Sequence, residues 1–147
     1  MIPAFIKNGC LPPGIHWATW QEVCESYGGT PARDRLLKDM KPALANLRAA
    51  GCSYVYLDGS FVTAKAYPTD CDVCFDSRGV DDAVLDPVLT EIDYDCRAQK
   101  LKYGCQFFPA NLAEGKSGKV FLLYFQEEEG TGNPKGIVAI DLRSAKL

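Results

Sequence analysis

Asp70 and Asp72 are separated by a single residue and open a short apolar run, Val73-Cys74-Phe75. In an extended segment, residues two apart point to the same side of a sheet. The spacing therefore aims Asp70 and Asp72 into one cleft and turns Cys71, Val73 and Phe75 toward a core. Two carboxylates held that close repel each other unless a cation sits between them. Mg²⁺ is the expected ion, with Mn²⁺ as the alternative, because Mg²⁺ takes one or two carboxylates and leaves positions for substrate phosphates. Asp76 continues the alternation but falls near the end of the run, so it is not counted as a ligand.

The apolar run Tyr54-Val55-Tyr56-Leu57 leads to Asp58 and then to a Gly59-Ser60 turn, and nine residues separate Ser60 from Asp70. Glycine lets the backbone approach a ligand closely, and N–H groups at the start of a following helical turn can hold a phosphate. Gly59 and Ser60 are thus nucleotide-binding candidates. Lys65, in the loop that follows, is a third, since an ammonium there could reach a triphosphate; an ordinary exposed loop lysine is the other reading. Asp58 reads as a cap for the turn.

Gly-Ser, a gap of about ten residues, then Asp-x-Asp between apolar flanks resembles the signature of the nucleotidyltransferase superfamily, which includes DNA polymerase beta and the minimal nucleotidyltransferases of bacterial toxin–antitoxin pairs. Ile2-Pro3-Ala4-Phe5 and Leu11-Pro12-Pro13-Gly14-Ile15-His16 are similar to the start of a small bacterial branch carrying that core. The resemblance implies an α/β (α+β) fold, a small mixed sheet covered on one face by helices, within one domain spanning residues 1–147. It also implies Mg²⁺-dependent transfer of a nucleoside monophosphate from a nucleoside triphosphate to a hydroxyl of protein, tRNA or a small molecule. Asp70 and Asp72 would be the catalytic metal ligands. Members of this superfamily usually carry a third carboxylate on a neighbouring strand. In Tyr103-Gly104-Cys105-Gln106-Phe107-Phe108 the matching position is Gln106, an amide that cannot take up a proton at neutral pH. A catalytically impaired module that binds a nucleotide or a partner is therefore the alternative to an enzyme, unless a carboxylate such as Asp141 completes the set. A surface turn in an interaction protein is the plainest alternative, and the apolar flanks of the aspartates argue against it.

Composition sets the frame. A chain of 147 residues can bury a core without staples. A formal charge of −3 argues against a uniformly basic nucleic-acid binder. Arg33, Arg35, Lys38, Lys41 and Arg48 gather in one stretch and read as a solvated helix face. No apolar run approaches a membrane span, and the first residues lack a secretory pattern, so a cytoplasmic protein is expected. The odd number of cysteines, seven, fits core thiols in a reducing compartment better than disulfides or zinc. His16, the only histidine, reads as a capping or packing residue.

The remaining elements follow from periodicity. Residues 1–16 read as an extended lead-in, and Trp17 to Tyr27 as a helix ended by Gly28-Gly29. Thr30-Pro31 starts a second helix that runs to about Ala50 and closes at Gly51, with a kink or break near Asp39 forced by Pro42. Strands are expected at about Ser53 to Asp58, Cys71 to Phe75 and Lys102 to Phe108, and a helix from Asp81 to about Asp95. Lys119 to Gln126 and Gly136 to Leu142 read as a C-terminal β-hairpin joined by the acidic stretch Glu127-Glu128-Glu129. Oligomeric state is left open by the sequence.

Overall fold

A computed structural model describes residues 1–147. Five strands form one mixed sheet, β1 (Gly14–Trp17), β2 (Tyr54–Asp58), β3 (Asp72–Phe75), β4 (Gln106–Pro109) and β5 (Gly136–Asp141), in the order β1-β5-β2-β3-β4. β2 runs antiparallel to both β3 and β5, whereas β1 is parallel to β5 and β4 is parallel to β3. Four α-helices, α1 (Trp20–Tyr27), α2 (Pro31–Ala49), α3 (Asp93–Tyr103) and α4 (Phe121–Tyr124), complete the α+β fold. None is long and apolar enough to cross a membrane.

The strand alternation sorts the two faces. Val55, Leu57, Val73, Phe75, Phe107, Val138 and Ile140 point to one side, where α1, α2 and α3 cover them in a cluster of 26 buried residues. Tyr56, Cys74, Ile137 and Ala139 point to the other side, where a cluster of only 6 buried residues forms beneath α4. The first face therefore supplies most of the hydrophobic stabilisation, at about 1.5–3 kcal/mol per fully buried Leu, Val or Phe. The second is thinly covered, and that leaves room for a cleft at one end.

Thr30 caps α2 by accepting from the Arg33 N–H, and Pro31 occupies its first turn. The helix runs continuously through Pro42 to Ala49, so the break foreseen near Asp39 does not occur. Pro42 and Lys38 are both exposed, so the Lys38 carbonyl that loses its partner is free to bond water. Helix α1 begins at Trp20, because the Thr19 side chain and Glu22 form a capping box there; Trp17 belongs to β1 instead.

Three further expectations are corrected. Asp81 to Asp95 is not an α-helix: Asp86 and Pro87 start a short 3₁₀ turn, Pro87–Thr90, and the helix proper is α3. Chain entry to α3 passes through Tyr94, Asp95 and Cys96 at φ of 53°, 57° and 56°, a left-handed stretch costing roughly 1–2 kcal/mol per residue. Lys102 and Tyr103 consequently end α3, and the strand expected from Lys102 starts at Gln106. The C-terminal hairpin is absent. Phe121–Tyr124 is helical, with Phe108, Phe121 and Phe125 packed ring on ring, and β5 inserts between the edge strand β1 and the central strand β2. A single bridge, Glu127 to Pro134, joins the two arms.

All seven cysteines are free thiols, and Cys52, Cys71, Cys74, Cys96 and Cys105 are buried. His16 bonds the Pro12 carbonyl at 2.6 Å. That contact fixes the N-terminal segment against β5, where a Cβ on Gly136 would lie 2.0 Å from the Pro12 oxygen.

Candidate functional site

Antiparallel pairing places Asp58 directly opposite Asp72, and parallel pairing places Asp72 beside Gln106. The three side chains therefore form one row across β2, β3 and β4 on the thinly covered face. Beyond the row, Asp70 and the Gly59-Ser60 bend close one wall of a cleft of about 470 Å³. Tyr124, Glu127, Glu128, Glu129 and Lys135 form the opposite wall. Asp70, Asp72, Gly59 and Ser60 are thus brought together as their spacing predicts.

The bend has a specific task. Gly59 sits at φ 83° and ψ −172°, a combination essentially restricted to glycine. A Cβ there would stand 3.1 Å from the Asp72 nitrogen and 3.2 Å from Asp72 Oδ2. Glycine lets the loop lie against the start of β3. Ser60 then turns its donors onto Asp70: its N–H reaches Asp70 Oδ1 at 3.1 Å, and its hydroxyl bonds the same oxygen. The Phe61 N–H donates to the Asp70 carbonyl at 3.2 Å. In the folded chain these N–H groups orient Asp70 and are not free to hold a phosphate, so the expectation for the Ser60 backbone is corrected.

Lys65 does not line this cleft. It lines a separate groove with Phe5, Tyr27 and Tyr67, and its carbonyl accepts from Arg33 at 2.6 Å. Arg33 is itself a departure from the expected solvated face, being only 8% exposed. Its guanidinium also donates to the Phe61 carbonyl at 2.7 Å and the Thr63 carbonyl at 2.8 Å. A single buried cation on α2 therefore clamps the loop that carries Gly59 and Ser60. Arg35, Lys38, Lys41 and Arg48 remain exposed.

Two cleft residues escaped sequence reasoning. Asp58 is only 3% exposed; its Oδ1 lies 3.2 Å from Lys135 Nζ, and its Oδ2 is buried without a partner. Lys135 comes from the loop before β5 and takes the place in the cleft that was expected of Lys65. The only sequence signal was an aspartate standing immediately before a Gly-Ser turn at the end of an apolar strand.

Charge in the row is poorly compensated. Burial, then Asp70 and Asp58, push the Asp72 carboxyl up to about 7, against the pull of Lys135 and Lys100. Burial likewise pushes Asp58 up to about 6, with Lys135 and the Gly59 N–H opposing it. Gln106 serves this row as a neutral donor. With its amide nitrogen toward Asp72 Oδ1 (2.7 Å), its oxygen accepts from Lys100 Nζ at 3.0 Å, the orientation that satisfies both ends. Asp141 does not make up the missing carboxylate. It pairs with Tyr54 at the other end of β2, roughly 13 Å along the strand from Asp58, and its carboxylate is held by Arg143. Asp76 is likewise bound, by Arg78 at 2.7 Å.

No three His, Cys, Asp or Glu side chains close into a metal cage. The donor set suits a hard divalent cation held by two carboxylates and completed by other oxygens. Asp70 is hydrogen-bonded through Oδ1 and Asp72 through Oδ1, so Oδ2 of each is left to the cleft. A larger groove of about 510 Å³ lies by Trp17, Trp20 and Ile140. Its two carboxylates are already engaged, Glu22 by the N-terminus and Asp141 by Arg143.

Residues 3–141 match the model of a family described as a family of unknown function (DUF6932). No curated protein and no solved structure matches the chain.

Proposed function

The chain belongs to that family of unknown function, and from this premise we propose, on the cleft alone, that it is a divalent-cation-dependent nucleotidyltransferase. The carrying observation is the meeting of Asp70 and Asp72 with the Gly59-Ser60 bend in one cleft on the open face of the sheet. The reaction moves a nucleoside monophosphate from a nucleoside triphosphate to a hydroxyl of a protein, a tRNA or a small molecule. Bound Mg²⁺ or Mn²⁺ would neutralise the phosphates and the charge developing on the leaving pyrophosphate.

The chain's own residues do the rest. Asp70, fixed by Ser60, and Asp72, fixed by Gln106, offer oxygen ligands in a set geometry. Gly59, lacking a Cβ, lets the bend lie against Asp70 and Asp72 at the cleft wall. Lys135 supplies an ammonium on the opposite wall. Seven free thiols suit a reducing cytoplasm. The test is to incubate the protein with Mg²⁺, each labelled nucleoside triphosphate and candidate acceptors. Label transfer by wild type but not by Asp70→Ala/Asp72→Ala supports the reading, and identical behaviour of the two proteins in every assay sinks it.

Gln106 favours a second reading. An amide stands beside Asp72 where a carboxylate would complete the acid set, so the cleft would bind a nucleotide or partner without turnover. Calorimetric binding of a nucleotide with no product, together with activity gained in Gln106→Asp, would select it.

A further inference from the structure

Among the buried groups, Asp58 Oδ2 is an acid oxygen with no donor anywhere in the fold. A carboxylate oxygen in that position costs free energy until something positive meets it. Strand register puts Asp58 opposite Asp72, on the same side of the sheet and in the same cleft. Asp72 Oδ1 is occupied by Gln106, and Asp58 Oδ1 by Lys135 at 3.2 Å. The oxygens left over are Oδ2 of both residues.

Resting on the reading of the cleft as a cation site, we propose that Asp58 is a ligand of the divalent cation. It shares the ion with Asp72 from the neighbouring strand, and the Lys135 ammonium fills the position until the ion arrives. Two carboxylates plus water or phosphate oxygens meet the needs of Mg²⁺ without a protein cage. Lys135 fits a stand-in because it belongs to a surface loop and its side chain keeps 20% exposure, so it has solvent to move into when an arriving cation takes over the charge of Asp58. Once displaced from Asp58, the ammonium is available to a triphosphate.

Mn²⁺ alone, without nucleotide, is the probe. Its affinity is read by the electron paramagnetic resonance signal of free Mn²⁺ in wild type, Asp58→Asn, Lys135→Met and Asp70→Asn/Asp72→Asn, with circular dichroism confirming that each variant is folded. Loss of Mn²⁺ affinity by tenfold or more in Asp58→Asn is expected. Lys135→Met, which removes the competing charge, should bind Mn²⁺ several-fold more tightly. Unchanged affinity in Asp58→Asn, or weaker binding in Lys135→Met, overturns the proposal. If Asp70→Asn/Asp72→Asn alone abolishes binding, the assignment of Asp58 fails and the cation cleft stands. If wild type binds no Mn²⁺, both fail. Should Asp58→Asn misfold, Lys135→Met decides the matter.

Discussion

At the scale of single residues, the row across the sheet is costly to the ligand-free protein. Asp58 and Asp72 are buried, and their carboxyls are pushed up to about 6 and about 7. At pH 8 both are ionised and Lys135 and Lys100 compensate them only in part, so replacing either by its neutral isostere removes a desolvation penalty. Asp72→Asn should therefore raise the unfolding free energy at pH 8 by roughly 1–3 kcal/mol in urea titrations while weakening cation binding. A loss of stability instead would mean that the acid is well compensated. Arg33 acts in the opposite direction. Its guanidinium bonds the carbonyls of Phe61, Thr63 and Lys65, so Arg33→Ala should cost roughly 2–3 kcal/mol and loosen the Ser60 loop. Hydrogen exchange at the 60–70 amides would register that loosening. The Asp-x-Asp pair was legible in the sequence because a period of two needs only local geometry. Asp58 and Lys135 were not, because their roles depend on which strands become neighbours and on a loop far along the chain.

At the scale of elements, the cleft depends on a backbone that glycine alone accepts. Gly59→Ala adds a methyl 3.1 Å from the Asp72 nitrogen in a backbone region closed to alanine. It should cost roughly 2–3 kcal/mol and remove cation binding together with it, whereas Gly79→Ala, where a Cβ meets nothing within 4 Å, should cost mainly its φ strain. Helix α2 offers the reverse case. Pro42 withholds a hydrogen bond from Lys38 on an exposed face, and a proline in a helix interior is about 3 kcal/mol worse than alanine. The stiffer unfolded chain returns up to about 1 kcal/mol of that. Pro42→Ala should thus stabilise the protein by roughly 1–2 kcal/mol, read from the shift in denaturant midpoint. Helices α1 and α2 were legible from their caps, Thr19 aside, because capping is local chemistry. The 81–95 segment misled because Val84, Leu85, Val88, Leu89 and Ile92 mimic a helical stripe. Asp86 and Pro87 stop it after one 3₁₀ turn, leaving α3 to a stretch with little apolar pattern. Phe121 to Phe125 read as a strand from its aromatic content, yet tertiary packing against Phe108 made it a helix.

For the molecule as a whole, the acids of the cleft couple stability to both pH and cation. Raised carboxyl pKa values mean that the folded state binds more protons than the unfolded state between about pH 4 and 7. Stability therefore falls as pH rises from about 4 through about 6 and 7, and it levels off above 8. Asp76 and Asp86 lean the other way, since Arg78 holds the first low and Lys102 with Tyr103 holds the second low. Their contribution is present near neutrality and is lost below about pH 4. The ligand-free protein should accordingly be most stable at about pH 4 to 4.5 and lose stability steadily toward about pH 7, a profile that a series of thermal melts would trace. A divalent cation that binds only the folded, ionised cleft adds RT ln(1 + [L]/Kd), about 1.4 kcal/mol at ten times Kd. For a domain of 147 residues that is a rise in Tm of roughly 3–5 °C. Protons and cation compete for the same oxygens, so Mn²⁺ should raise Tm at pH 8 and scarcely at pH 5. Asp72→Asn should lose the response to Mn²⁺ and keep only the smaller part of the upward drift on acidification that Asp58 supplies. A cation effect of equal size at the two pH values would place the binding outside the cleft, because exposed carboxylates are still ionised at pH 5.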